Sequence, residues 1–318
     1  MIAFVFPGQG SQKVGMGRGL LDASREARET FDEADRAFEA NAAAGGFTGA
    51  LSSIIFEGPA DRLTLTEHTQ PAILTVSIAA CRALAARGIQ PDFVAGHSLG
   101  EYSANVAAGT MTFGDAVGVV RRRGRYMQEA VPVGQGAMAA IVGLDADRVQ
   151  QACDEAAAGE VVSPANVNGA GQVVIAGGKD AVQRAMARAR ALGARRALLL
   201  PVSAPFHCAL MRPAQDRLAP ELRALAARDP RIPVVANVDA TPKRDAASAI
   251  EALVQQVSAP VRWEAVVRRL ASEGVTTYVE VGPGTVLSGL VRKIHPEATV
   301  VNFAEPEDLA AVAQAVRA

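Results

Sequence analysis

The strongest chemical signal in the chain is a serine flanked by glycines, Gly96-His97-Ser98-Leu99-Gly100. A short apolar run precedes this pentapeptide and a helical pattern follows it, which predicts a strand–turn–helix. A serine on such a tight turn presents its hydroxyl at a helix N-terminus, where backbone N–H groups and the helix dipole stabilise an oxyanion. An ordinary glycine-rich turn is the alternative. The context favours Ser98 as a catalytic nucleophile.

A serine nucleophile needs a base, and the chain has four histidines to supply one. His97 adjoins the serine, but adjacent side chains at a tight turn point apart. His68 and His295 lie in polar surroundings near predicted helix ends, which indicates surface positions. His207 follows a predicted strand in an irregular segment, where parallel sheets place their active sites. His207 is therefore the candidate base, and a buried histidine bound to a carbonyl is the alternative.

A second glycine-rich segment, Gly8-Gln9-Gly10-Ser11-Gln12, directly follows the first predicted strand. It lacks the lysine of the phosphate-binding loop and the G-x-G-x-x-G dinucleotide pattern. A simple tight turn is one alternative. A glycine-flanked backbone N–H close to Ser98 would suit an oxyanion hole better than a phosphate site.

Three consecutive arginines, Arg121-Arg122-Arg123, lie on the second predicted helix after Ser98. Consecutive helical residues point about 100° apart, so one of the three can face inward. A solvated basic face is the expectation for Arg121 and Arg122. A single buried arginine would select a carboxylate through a bidentate pair.

Composition narrows the class of protein. The 318 residues are 49% hydrophobic and 20% charged, and a net charge of −1 gives no strong field for nucleic acid or an anionic membrane. The beginning of the chain lacks signal-peptide features, and no apolar run reaches the roughly 18 residues that span a bilayer, so no membrane insertion is expected. The chain has three dispersed cysteines: Cys81, Cys153 and Cys208. They fit neither a disulfide framework nor a metal site, and we therefore expect the protein to be located in the reducing cytoplasm.

Apolar runs alternate with helical patterns through most of the chain, which predicts a parallel sheet covered by helices. The predicted strands are residues 2–6, 93–95, 234–236, 277–281 and 299–303. The predicted helices are residues 72–86, 99–108, 116–130, 215–227, 246–257, 263–272 and 286–294.

The middle of the chain has a different order, β-α-β-β-α-β, which is the ferredoxin-like pattern. Its elements are residues 137–142, 147–157, 161–167, 173–176, 182–191 and 196–200, with a hairpin turn at residues 168–171. We therefore predict two domains. Residues 1–133 and 203–318 form an α/β large domain with a hydrolase-like parallel sheet, and residues 134–202 form an inserted ferredoxin-like small domain.

Five segments, in this order, resemble one family. They are FPGQGSQ (6–12), GHSLGEYS (96–103), RGRYMQ (123–128), PVSAPFH (201–207) and EVGPG (280–284). Together they resemble the malonyl-CoA:acyl-carrier-protein transacylases of type II fatty acid synthesis and the acyltransferase domains of polyketide synthases. The resemblance covers nearly the whole chain, and the inserted small domain is also that family's arrangement.

The resemblance implies a role for each matching residue. Ser98 is similar to the nucleophile that takes a malonyl group from coenzyme A, and His207 is similar to its general base and later acid. The backbone N–H groups of Gln9 and Leu99 correspond to the oxyanion hole. Arg123 corresponds to the clamp for the malonyl carboxylate.

Two further residues follow from the same resemblance. The main-chain carbonyl of Gln256 corresponds to the group that orients the histidine, although Ala259 stands where the family commonly has asparagine. Phe206 precedes His207, and in the related acyltransferase domains a phenylalanine there accompanies malonyl, whereas a small residue accompanies methylmalonyl. A ring would fill the space that an α-methyl group needs.

The implied reaction is ping-pong transfer, with malonyl-CoA as substrate and no bound cofactor or metal. The partner is an acyl carrier protein, whose phosphopantetheine thiol accepts the malonyl group. Such carriers are usually acidic, so a basic face is expected to bind them. The candidates share one predicted small-domain helix: Lys179, Arg184, Arg188 and Arg190.

Other functions fit parts of the same pattern. An acyl-CoA serine hydrolase would use the same turn, but no Asp or Glu lies in a motif that fits the acid of a hydrolase triad. A discrete acyltransferase for a polyketide synthase or for malonate decarboxylase would keep the transfer and change the pathway. A catalytically silent docking module for carrier proteins would not need Ser98, His207 and Arg123 together.

Overall fold

The computed structural model describes residues 1–42, 49–202 and 204–317. In chain order its strands are β1 (Ile2–Phe6), β2 (Phe93–Gly96), β3 (Gly136–Val142), β4 (Val162–Gly169), β5 (Gln172–Gly178), β6 (Arg196–Leu199), β7 (Val234–Val235), β8 (Pro242–Lys243), β9 (Thr277–Val281) and β10 (Thr299–Phe303). Its helices are α1 (Arg18–Ala23), α2 (Arg25–Ala40), α3 (Leu51–Glu57), α4 (Ala60–Thr64), α5 (Thr66–Ala85), α6 (Gly100–Ala108), α7 (Phe113–Glu129), α8 (Ala146–Ala156), α9 (Lys179–Ala191), α10 (Arg212–Arg223), α11 (Ala246–Gln256), α12 (Trp263–Ser272), α13 (Val286–Ile294) and α14 (Leu309–Ala315). Among the described residues, no helix combines the length and apolar character that a membrane crossing needs.

The larger sheet has the strand order β10-β9-β1-β2-β7-β8. Its strands run parallel from β10 to β7, and the short β8 pairs antiparallel with β7. Residues 3–6 of β1 are fully buried, as expected for a central strand covered by helices on both faces. Phe6 at the end of β1 pairs with Gly96 at the end of β2, so the segments that follow these two strands emerge side by side. The predicted parallel sheet is confirmed.

The second sheet has the strand order β4-β5-β3-β6 and is antiparallel throughout. Its elements follow one another as β3-α8-β4-β5-α9-β6, and both helices share a buried apolar core with the sheet. The predicted fold class, a hydrolase-like parallel sheet with a ferredoxin-like unit, is confirmed. The domain limits at residues 134 and 203 stay a prediction, and Ser203 lies outside the described residues.

Strand β4 joins the two sheets. The Val167 N–H donates a hydrogen bond to the Val261 carbonyl, and the Val261 N–H donates to the Ala165 carbonyl, both at 2.8 Å. The His97 side chain, just after β2, contacts the Asn168 amide oxygen at 2.9 Å. These bonds hold the small sheet beside the carboxyl end of β2, where open α/β sheets bind ligands.

One helix begins earlier than the sequence predicted. Helix α5 starts at Thr66 rather than at residue 72, and it contains Pro71. A proline early in a helix removes only one intrahelical bond. The N–H groups of His68 and Thr69 still bond to the Leu65 carbonyl at 2.8 Å, so the turn before Pro71 forms.

Candidate active site

Ser98 occupies a strained turn between β2 and α6. Its φ is 54°, in the left-handed region that non-glycine residues rarely adopt. Close packing requires the flanking glycines: a Cβ on Gly96 would lie 1.9 Å from the carbonyl carbon of Gly100, and a Cβ on Gly100 would lie 2.0 Å from the Phe6 carbonyl oxygen. The strand–turn–helix predicted for this pentapeptide is therefore confirmed.

Asn237, a fully buried residue just after β7, holds this turn in place. Its Oδ1 accepts a hydrogen bond from the Ser98 backbone N–H at 2.8 Å, and its Nδ2 donates to the Gly96 carbonyl at 2.7 Å. Two bonds from one side chain offset part of the strain at Ser98. Sequence reasoning missed Asn237, because nothing local to it indicates that it reaches a turn 139 residues away.

The structure brings Ser98 and His207 into direct contact. The Ser98 Oγ lies 2.7 Å from the His207 Nε2, and the His207 Nδ1 lies 2.9 Å from the main-chain carbonyl oxygen of Gln256. A carbonyl only accepts hydrogen bonds, so the Nδ1 carries the proton and the Nε2 is left to accept the serine proton. The arrangement is a serine–histidine pair supported by a carbonyl.

Arg123 lies beside this pair and is almost fully buried, with 1% of its surface exposed. Its Nη2 donates to the Ser98 Oγ at 3.2 Å and to the Gln256 Oε1 at 2.8 Å, and its Nη1 donates to the Gln70 Oε1 at 2.8 Å. Both amide partners are neutral, and no ion pair involves Arg123 within the described residues. A buried cation with no described carboxylate in direct contact, next to a nucleophile, fits an anionic substrate group.

A cavity of about 580 Å³ opens onto these residues. Its wall includes Gln9, Ser98, Arg123, Phe206 and His207, so these predicted site residues share one space. Apolar side chains also line the cavity, among them Met127, Met138 and Leu200. The volume falls within the range of small-molecule sites.

Leu99 is placed by the helix that follows the serine. It is the N-cap residue of α6, so its N–H takes no part in the intrahelical bonding and lies at the positive end of the helix dipole. Gln9 follows β1 and lines the cavity. Their roles in an oxyanion hole stay a prediction.

A buried polar network lies behind the serine, and the sequence analysis assigned no role to its carboxyl, Glu101. The Gln256 Nε2 donates to the Glu101 Oε2 at 2.7 Å and to the Ser98 carbonyl at 2.9 Å, and the Asn237 N–H donates to the same Glu101 oxygen at 3.0 Å. Burial raises the pKa of Glu101 to about 7, against the effect of these donors. A carboxyl directly after the second glycine of the turn was the available signal.

Burial also controls the candidate base. The pKa of His207 is lowered to about 3, chiefly by burial and also by the nearby Arg123 charge, while the bond to the Gln256 carbonyl acts in the opposite direction. His207 is therefore neutral at neutral pH, the form that accepts a proton.

The pH dependence of acylation tests this argument. A histidine with its ordinary pKa is only about one-tenth neutral at pH 5.5, whereas His207 stays almost wholly neutral there. Between pH 7.5 and pH 5.5 we expect the rate of acyl-enzyme formation, measured by rapid quench, to fall by less than about threefold. The Glu101→Gln variant is the control, because Glu101 is a buried group of the network behind Ser98 whose pKa of about 7 lies in this range. A fall of about tenfold in both proteins would contradict the prediction.

Two of the surface expectations were wrong. His68 is 3% exposed, its Nδ1 contacts the Arg62 carbonyl at 3.0 Å, and burial lowers its pKa. Arg121 is 4% exposed; its guanidinium stacks 3.7 Å from the Phe38 ring centre and donates to the Phe38 carbonyl at 2.6 Å. In both cases the ring of Phe38, on the distant helix α2, packs against the polar side chain. Arg122 is half-buried and pairs with Glu221.

Two of the four basic residues predicted to form a face on α9 are paired with carboxylates. Arg184 pairs with Glu160 at 2.6 Å, and Arg188 pairs with Glu155. Arg190 donates to the Ala197 carbonyl at 2.7 Å. Carrier binding on this face stays a prediction, and these contacts weaken the electrostatic argument for it.

The remaining sequence motif, EVGPG, stabilises the fold and does not line the cavity. The buried Glu280 carboxylate accepts hydrogen bonds from the N–H groups of Leu287 and Ser288 at 3.1 and 2.7 Å, which caps the start of α13. Within residues 1–42, 49–202 and 204–317, no group of three or more His, Cys, Asp or Glu side chains could hold a metal ion.

Known proteins share this fold and sequence. A family model described as "Acyl transferase domain" matches residues 3–312. The chain is 47% identical over 317 residues to the malonyl CoA-acyl carrier protein transacylase of Bacillus subtilis, covering 99% of this chain and 97% of that protein. It is 50% identical over 310 residues to the protein of the same name from Escherichia coli K12, covering 97% of each. A solved structure of a malonyl-transacylase with its type II PKS acyl-carrier protein matches with a TM-score of 0.93 at 44% identity, covering 98% of this chain and 99% of that chain. This chain therefore belongs to the acyl transferase domain family.

Proposed function

We propose that this protein transfers a malonyl group from malonyl-CoA to the phosphopantetheine thiol of an acyl carrier protein, through an ester on Ser98. One observation carries the proposal: the Ser98 hydroxyl lies within hydrogen-bond distance of both a neutral histidine and a buried arginine. The first contact serves acyl transfer, and the second selects an acyl group that ends in a carboxylate. The names of the similar proteins support the same substrate and partner.

The first half-reaction forms the malonyl ester. The Ser98 Oγ attacks the thioester carbonyl carbon while the His207 Nε2 takes the hydroxyl proton. The backbone N–H groups of Gln9 and Leu99 stabilise the oxyanion of the tetrahedral intermediate. The carbon–sulfur bond then breaks, and the leaving coenzyme A thiolate receives the proton from His207.

The second half-reaction is the reverse sequence with a different thiol. The phosphopantetheine thiol gives its proton to His207 and its sulfur attacks the ester carbonyl carbon. The Ser98 oxygen leaves and takes the proton back, which restores the free enzyme. The Gln256 carbonyl keeps the His207 ring in the same orientation through both halves, because it holds the Nδ1 proton.

Arg123 accounts for the choice of acyl group. Its guanidinium would pair with the malonyl carboxylate in a site where water is largely excluded, and its two amide partners hold it toward Ser98. An acetyl group would leave this buried charge without a partner. We assign the reaction to fatty acid synthesis, with a discrete acyltransferase for a polyketide synthase or malonate decarboxylase as the alternative. The free cysteines support a reducing cytoplasm as its location.

Intact-mass measurement tests the function. The protein is mixed with malonyl-CoA, and phosphopantetheinylated carrier protein is then added. We expect a single malonyl adduct that moves to the carrier. An adduct lost to water at the same rate with and without carrier would indicate an acyl-CoA hydrolase, and the absence of any adduct and turnover would indicate a docking module.

A substitution at Phe206 tests whether this ring limits the size of the acyl group. We expect Phe206→Ser to raise the ratio of methylmalonyl-CoA to malonyl-CoA acylation rates by about tenfold, because removing the ring makes room for one methyl group. Competition between the two thioesters, read by intact mass, measures the ratio. The malonyl-CoA rate alone is the control and should change by less than about threefold. An unchanged ratio would mean that Phe206 does not limit the size of the substituent on the substrate's α-carbon.

A further inference from the structure

Glu101 is a buried carboxyl that the reaction above does not use. It lies in the first turn of α6, three residues after Ser98, and is 1% exposed. It makes no ion pair within the described part of the chain. One of its oxygens, Oε2, accepts both the Gln256 Nε2 at 2.7 Å and the Asn237 N–H at 3.0 Å. Burying a carboxyl costs free energy, which packing alone does not explain.

Gln256 connects this carboxyl to the reacting groups. Its Nε2 donates to Glu101 and to the Ser98 carbonyl, and its Oε1 accepts from the Arg123 Nη2 at 2.8 Å. The amide has one correct orientation. If it were flipped, its oxygen would face two acceptors and its NH2 group would face the guanidinium donors.

We propose that Glu101 is a positioning residue for malonyl recognition: its carboxyl fixes the amide of Gln256, which in turn aims the Arg123 guanidinium at the Ser98 hydroxyl. This inference rests on the proposed function. It adds a residue that touches neither the substrate nor the cavity and yet sets the geometry of the clamp.

The local charges support this arrangement. Burial is the main effect that raises the pKa of Glu101, and Asp239 adds to it, whereas the bonds from Gln256 and Asn237 and the charge of Arg123 favour the ionised carboxyl. The ionised carboxyl can only accept hydrogen bonds, so it holds the NH2 end of the Gln256 amide. The amide oxygen of Gln256 then faces Arg123, and this oxygen is the end of the amide that can accept a hydrogen bond from the guanidinium.

Two variants of similar size separate positioning from packing. Glu101→Met fills the space but offers no strong acceptor, so the NH2 of Gln256 and the N–H of Asn237 lose their partner. We expect the KM for malonyl-CoA to rise by about 10- to 100-fold, and the preference for malonyl-CoA over acetyl-CoA to fall by about tenfold. Glu101→Gln keeps an oxygen in place of Oε2, and we expect it to rescue both quantities to within about threefold of the original protein.

Glu280→Met is the matched control. Glu280 is also a buried carboxyl that accepts backbone N–H groups, but it caps α13, and its hydrogen bonds go to Leu287, Ser288 and Asn302 rather than to Gln256. We expect a lower Tm in this variant with an unchanged KM and unchanged selectivity. Rates are normalised to the fraction of protein that can be acylated.

Three outcomes would overturn the inference. The first is a Glu101→Met protein with the original KM and selectivity and only a lower Tm. The second is a Glu101→Gln protein that loses selectivity as much as Glu101→Met does. If Glu101→Met does not fold, Glu101→Asp replaces it, because the shorter side chain withdraws the acceptor from Gln256. The third outcome is a Glu101→Asp protein that keeps the original selectivity. Failure of the proposed function is distinct, because the unmodified protein would then form no malonyl adduct.

Discussion

Replacing Ser98 with alanine is expected to abolish the malonyl adduct and to lower transfer to the carrier by at least about 10⁴-fold. The reason is that, among the described residues, no other hydroxyl on the cavity wall is in contact with His207, so the chemistry loses its nucleophile and not merely a binding contact. Alanine at this position keeps the strained backbone, because Asn237 bonds to the backbone N–H rather than to the hydroxyl. Intact mass after exposure to malonyl-CoA and steady-state transfer measure the two effects.

Ser103→Ala is the matched control for this experiment. Ser103 lies on α6, is fully buried, and its hydroxyl has no hydrogen-bond partner among the described residues. Its loss removes the same kind of atom, a serine hydroxyl, from the helix that follows the Ser98 turn, without touching the reacting groups. We expect a normal adduct and nearly normal transfer. A malonyl adduct on Ser98→Ala at the original rate would place the nucleophile elsewhere.

The local part of the site was predictable from sequence. The turn around Ser98 depends on glycines that are adjacent in the chain, and their close packing against β1 leaves few other residue types possible. His207 could be selected because only four histidines exist and one follows a strand end. Arg123 could be selected because one of three successive helical arginines must face a different direction from the others.

The long-range part of the site was not predictable in the same way. Asn237 and Gln256 reach the serine from more than a hundred residues away, and their amides carry no local pattern. The burial of His68 and Arg121 depends on contacts with Arg62 and Phe38, which lie on other helices or turns. Tertiary contacts of this kind decide whether a polar residue is exposed, and periodicity within one segment does not record them.

The carbonyl behind His207 fits the chemistry of the substrate. A carboxylate in that place would stabilise the imidazolium and make the histidine a stronger base, as in hydrolase triads. Here a neutral carbonyl holds the Nδ1 proton, and burial with Arg123 disfavours the charged ring. A thioester needs less activation than an amide because its thiolate leaves readily. A weaker base therefore suffices for transfer.

Replacing Arg123 with alanine is expected to remove the preference for malonyl-CoA over acetyl-CoA, with the ratio of kcat/KM values falling by at least about 100-fold. A malonyl carboxylate in the variant would be buried without a partner, which costs several kcal/mol, whereas an acetyl group never used the guanidinium. Malonyl transfer therefore falls steeply and acetyl transfer stays the same or rises. Competition between the two thioesters, read as adduct mass on Ser98, measures the ratio directly.

Two further variants decide what this result means. Arg123→Lys keeps the charge but lacks the planar fork that bonds both Gln70 and Gln256, so we expect it to recover only part of the preference. Arg125→Ala removes an arginine from the same helix whose nearest carboxylate is Glu129 at 3.8 Å, and it should leave the preference intact. Retention of the malonyl preference in Arg123→Ala, with acylation of Ser98 still measurable, would show that another group binds the carboxylate. Loss of the preference in Arg123→Ala alone would assign the choice of substrate to this one buried charge.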